Sequence, residues 1–149
     1  MRKRSSYRPF AFHKSSWAFK PLTAIKDVNM DLRLNNRLSL EAVKTHNASS
    51  YDLTTLATAS NMAMALSKKY EKESLPILIA AADALETMQK RHVKWGKVQA
   101  TPTELKAILD MMAIHERQLD KCQVRDIESA IARIKNVHDA AHKKAKEMK

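Results

Sequence analysis

Glycine is almost missing from this 149-residue chain: Gly96 stands alone, beside the four prolines Pro9, Pro21, Pro76 and Pro102. Hairpins and sheet corners lean on glycine and on Asn-Gly pairs, so the composition argues against a sheet protein. Glycine loops that cradle phosphate go the same way, because their backbone must approach the ligand closely. Cysteine is limited to Cys122. No internal disulfide can form, which points to a reducing compartment. No apolar run approaches the roughly 18 residues of a membrane-spanning helix. The start, Met1-Arg-Lys-Arg4, has the charge of a signal peptide, but no apolar stretch follows it. Poor apolar periodicity over residues 1–26 argues against a mitochondrial transit peptide. The expectation is a cytoplasmic protein with no membrane association.

Acid is absent from residues 1–26, which carry seven Lys or Arg. Residues 27–126 carry fourteen basic and thirteen acidic residues, and residues 127–149 carry six and three. The net charge of +11 therefore belongs to the two ends, the first above all. Five of the eight aromatic residues also lie in that first segment: Tyr7, Phe10, Phe12, Trp17 and Phe19. Pro9 and Pro21 oppose helix there. Residues 1–26 read as an extended basic arm.

Alanine, leucine, methionine, lysine and glutamate are plentiful and favour helix. Residues 27–149 read as one helical domain, an all-α bundle of four or five helices. A first helix is expected near 36–46, carrying Leu38 and Ala42. Asn47-Ala-Ser-Ser offers a cap for a second near 52–70, with Leu53, Leu56, Ala57 and Met64 apolar and Met62 and Leu66 on the flank. Ser74 and Pro76 suit the first turn of a third, near 74–95, with a stripe of Leu75, Leu78, Ile79, Ala82, Leu85 and His92. Thr101-Pro-Thr-Glu104 is a capping box with proline at the first helical position. The fourth helix, near 102–119, follows it with Leu105, Ile108, Leu109, Met112, His115 and Leu119.

No glycine or proline interrupts the chain beyond Pro102. Val124, Ile127, Ile131, Ile134, His138 and Ala141 continue the helical stripe. A single helix of about 47 residues would run about 70 Å, more than a small domain covers. A break near 120–123, with Asp120 as a new cap, and a fifth helix near 123–147 fit better. No repeat or low-complexity linker is present.

Catalytic constellations are scarce. His138 and His142 stand at i, i+4, the spacing of paired metal ligands on a helix, but no further ligand accompanies them. Asp139, one residue on, is expected to point elsewhere. No metal or other cofactor is expected. His115 reads as a core-edge histidine hydrogen-bonded across to another helix, and Cys122 has no base nearby in sequence to make it a nucleophile. The chain is not expected to be an enzyme. Met62, Met64, Met88, Met111 and Met112 suit core filling, with a partner groove as the alternative.

The arm is the main functional feature. Arg2, Lys3, Arg4, Arg8, Lys14 and Lys20 suit phosphate neutralisation, and Tyr7 and Trp17 suit stacking on bases. Comparable arms enter the minor groove beside helical domains. The alternatives are that the aromatics pack back on the bundle, or that the arm meets a protein. No helix-turn-helix is readable.

Met1-Arg-Lys-Arg-Ser-Ser-Tyr-Arg-Pro9, Asp31-Leu-Arg-Leu-Asn35, Asn61-Met-Ala-Met-Ala-Leu66, His115-Glu-Arg-Gln-Leu-Asp120 and Val124-Arg-Asp-Ile-Glu-Ser-Ala-Ile131 span most of the chain. Through them it resembles a family of short basic all-helical accessory proteins from phages, prophages and other mobile elements of proteobacteria. It departs from that pattern at Gln123, where relatives carry a small capping residue. The resemblance brings no activity with it; it implies a mobile-element accessory protein working in a bacterial host cell. Composition and resemblance together favour a nucleic-acid-binding regulator. The alternatives are a protein-binding inhibitor of a host machine or defence system and a phage structural or assembly component. Pairing of incomplete cores makes a homodimer a further expectation.

Overall fold

The computed structural model describes residues 21–22 and 26–148. Among the described residues five α-helices follow one another: α1 (Lys26–Lys44), α2 (Ser50–Ser67), α3 (Leu75–Trp95), α4 (Pro102–Lys121) and α5 (Val124–Glu147). One 3₁₀ turn, Lys72–Ser74, leads into α3. Among the described residues the only extended pairing is an isolated antiparallel bridge between Pro21 and Gln123. The all-α class expected from composition is what these residues form.

α2 is the centre of the bundle and packs against all four other helices. Its buried residues, Leu53, Leu56, Ala59, Met62, Ala63 and Leu66 among them, face more than one way, as a helix surrounded by neighbours requires. They serve two cores. One lies among α2, α3 and α4, where Leu56, Leu78, Met88, Ile108 and Met111 are buried. The other lies among α2, the end of α4 and the start of α5, where Met62, Leu66, Leu119, Cys122, Ile127 and Ala130 enclose Leu22.

The helix ends follow local chemistry. α1 closes with a Schellman motif: Asn47 N–H donates to the Ala42 carbonyl (2.9 Å) and His46 N–H to that of Val43 (3.3 Å). His46 takes the left-handed position of that motif, at φ 59°. Asp52 opens α2 by accepting from Ser49 N–H (2.8 Å), Ser49 Oγ (3.0 Å) and the buried Ser39 Oγ (3.0 Å). α3 stops at Gly96, whose φ is 70°. The capping box of α4 is formed: Glu104 N–H donates to Thr101 Oγ1 (3.2 Å) and Thr101 N–H to Glu104 Oε2 (2.9 Å). Arg91 of α3 joins the same carboxylate.

Several expectations require correction. The first helix begins at Lys26 rather than 36, and ends at Lys44 rather than 46. Its N-terminal half holds low-propensity asparagines, and tertiary contacts to α4 carry it: Arg33 pairs with Asp120 (2.6 Å) and Arg37 with Glu116 (2.8 Å). Leu38 of its expected stripe is exposed, whereas Val43 is buried. The break between α4 and α5 falls at Cys122 and Gln123, within the expected 120–123, but Asp120 is still helical and is not the cap. Cys122 and Gln123 are extended, and the Leu22 N–H takes the Cys122 carbonyl (3.0 Å). Gln123 is the cap, its N–H held by Asp126 (2.9 Å).

The buried face of α3 is rotated from the expected one. Leu78, Ala81, Leu85 and Met88 form the seam, and Leu75 and Ile79 are exposed. Small side chains at Ala81 and Ala84 let the helix approach its neighbours on that face. In α5 the buried positions are Val124, Ile127 and Ala130, while Ile131 is 52% exposed.

Candidate functional site: a groove beside a cationic helix

α5 outruns the bundle. A helix of 24 residues extends about 36 Å, more than the second core occupies. Every residue from Lys135 to Met148 is exposed. The apolar stripe nevertheless continues past the core through Ile134, Val137 and Ala141. These residues face back towards Met64 and Ala65 of α2 and Leu75 at the start of α3, and the space between is a groove of about 810 Å³. Asn61, Ser67, Lys68, Lys72, Arg133 and His138 rim it. Val137, in the floor, is 66% exposed.

In the bundle several cations are matched to acids between elements, whereas Lys68, Lys72, Lys94 and Lys97 have no acidic partner among the described residues. Arg33 meets Asp120, Arg37 meets Glu116 and Lys69 meets Asp126 (3.1 Å). Glu71 receives Arg117 (2.8 Å) and Lys121 (3.8 Å). Such exposed pairs add little stability each, but they cancel the local field. Hydrogen bonds from Arg117 hold the Glu71 carboxyl below its ordinary range. Asp126 is lowered too: burial works against it, but bonds from Tyr70 (2.7 Å), the Gln123 N–H and Lys69 prevail. Among the described residues, Arg133, Lys135, Lys143, Lys144 and Lys146 of α5, and Lys68 and Lys72 on the groove rim, have no acidic partner.

The other sequence candidates separate cleanly. Arg2, Lys3, Arg4, Tyr7, Arg8, Lys14, Trp17 and Lys20 lie outside the described residues. Of the segment read as arm, Leu22 is a core residue, 1% exposed, pinned beside the α4–α5 junction. His138 and His142 stack, with ring centroids 5.8 Å apart and an interplanar angle of 15°. Asp139 comes within 3.8 Å of His138 Nδ1 instead of pointing fully away, which is too far for a hydrogen bond. Among the described residues no group of three or more His, Cys, Asp or Glu is placed to hold a metal ion.

His115 is more deeply buried than a core-edge position, at 1% exposure. Burial pushes its imidazole down to about 4, with Gln118 partly opposing the shift, so the ring is neutral near pH 7. Gln118 spends its amide N–H₂ on the Ala63 carbonyl of α2 (3.0 Å). The expected cross-helix bond is therefore made by Gln118, three residues on. Burial pushes the Cys122 thiol up to about 11, which leaves almost no thiolate at neutral pH. Met62, Met88, Met111 and Met112 fill the cores, and Met64 packs against the first core and also lines the groove.

Sequence reasoning misses the groove because its parts come from three elements: Met64 and Lys68, then Lys72 and Leu75, then Arg133 to Ala141. The one signal present is the stripe in α5 running on into a cationic stretch, which reads equally well as core. Among the described residues no helix is long and apolar enough to cross a membrane. No family model matches the chain, and no curated protein or solved structure is significantly similar to it.

Proposed function

We propose that this protein is a non-enzymatic nucleic-acid-binding regulator, an accessory factor of a phage or mobile element acting in the bacterial cytoplasm. Arg2, Lys3, Arg4, Arg8, Lys14 and Lys20 of the arm contact phosphate, and Tyr7 and Trp17 stack on bases. The cations of α5 widen that contact. One observation carries the reading: among the described residues Arg133, Lys135, Lys143, Lys144 and Lys146 place five exposed cations without acidic partners along the outer part of α5. Exposed cations on a rigid helix suit a polyanion, because each phosphate they neutralise releases a condensed counterion. The acid-free arm adds to the same field.

Fluorescence anisotropy with labelled duplex and single-stranded DNA, over a series of salt concentrations, tests this. Affinity should fall steeply with salt. Replacing Lys135, Lys143, Lys144 and Lys146 by glutamine should flatten the log–log slope by about one for each phosphate no longer neutralised. Absence of binding to either DNA at low salt would refute the reading. Tight binding that survives removal of residues 1–20 would move the interface from the arm to α5.

A further inference from the structure

We infer that the groove between α2 and the exposed half of α5 is a docking site for an acidic amphipathic helix of a partner protein. Its floor is apolar where a packed helix would present core. Ile134, Val137 and Ala141 stand at i, i+3 and i+7 on α5, with Met64 and Leu75 opposite. That spacing puts all three on one face of α5, which forms an apolar wall of the kind an amphipathic helix packs against. An adaptable methionine in the floor suits a surface that receives another protein. Among the described residues nothing covers Val137, and a side chain of its size gains only when buried.

The rim selects the occupant. Lys68, Lys72 and Arg133 surround the floor without an acidic partner among the described residues, and no carboxylate lines the groove. A second copy of a chain carrying +11 would bring like charge to like charge. The chain's own residues 1–20 hold cations and no acid, so they too are repelled. A helix with leucine-type anchors and flanking Glu or Asp fits both floor and rim. This inference concerns a different surface from the arm and stands whether or not the protein binds nucleic acid.

Full-length protein is titrated into a panel of labelled amphipathic peptides of about 18 residues, with one apolar stripe and either Glu or Lys flanks. Glu-flanked members should bind, and their Lys-flanked counterparts should bind at least about tenfold more weakly. Val137→Glu, at an exposed position, should leave the far-ultraviolet circular dichroism and melting temperature intact. It should weaken the Glu-flanked peptides by about tenfold or more. Lys68→Glu with Lys72→Glu should invert the preference towards the Lys-flanked set. The inference fails if no Glu-flanked peptide binds below about 100 µM. Equal binding of both sets, or a Val137→Glu protein that binds like the parent, overturns it as well.

Discussion

His115 and His46 show how single side chains carry strain in this fold. His115 sits in the interior with its imidazole driven down to about 4 by burial, against an ordinary 6.5. The unfolded chain therefore takes up a proton from pH 6.5 downward, while the folded chain resists it. Stability should be full above pH 6.5 and fall as pH drops towards 4, by about 3 kcal/mol from this group. His115→Leu should be near-neutral or stabilising at pH 7, since neither ring nitrogen has a close hydrogen-bond partner. Urea denaturation of both proteins at pH 7 and 5 checks this: the variant should lose the part of the acid slope that begins near 6.5. His46 holds φ 59° at the end of α1, where glycine costs nothing. His46→Gly should raise the unfolding free energy by about 1 kcal/mol, read from the same denaturation curves.

At the scale of the element, α4 and α5 contrast. α4 is fixed at its start by chemistry visible in sequence, the Thr101 and Glu104 box, but Glu104 also receives Arg91 from α3. Thr101→Ala should cost about 1 kcal/mol. Glu104→Ala should cost more, because it ends both the cap and the tie between helices. Thermal unfolding would show the order, and equal costs would mean that the tie adds nothing. α5 is anchored by Val124, Ile127 and Ala130 and free of the core beyond Ile134. A chain ending at Asn136 should keep the parent's unfolding free energy to within about 0.5 kcal/mol. It should lose peptide binding in the groove, since Val137 and Ala141 go with the segment.

At the scale of the whole molecule, charge is uneven: many cations of the bundle are paired with acids, while the exposed part of α5 and the arm's sequence hold an excess of cations. Salt should therefore act differently on folding and on binding. Raising it from about 0.05 to 0.5 M should shift the melting temperature by only a few degrees, while DNA affinity falls by several orders of magnitude. Parallel melting and anisotropy series measure the two.

Much of this was legible in the residues. Scarce glycine, helix-forming composition, the capping box at Thr101 and the proline in the first turn of α3 are local facts, and local backbone chemistry places those helix starts. Periodicity also located most of the cores, because a buried stripe must recur with the helical turn. The tertiary structure alone decided the rest. α1 begins ten residues earlier than expected because its first half lies against the bundle, where Leu32 packs on the second core, Asn36 is buried and Arg33 reaches Asp120, 87 positions away. The sequence places a break near 120–123, but that Gln123 is its cap and that Leu22 is tied to the Cys122 carbonyl there is decided by the fold. The stripe of α5 is core as far as Ala130 and groove from Ile134 onward, although the pattern does not change between them. A sequence records which side chains share a face of a helix; only packing determines whether another element is there to cover it.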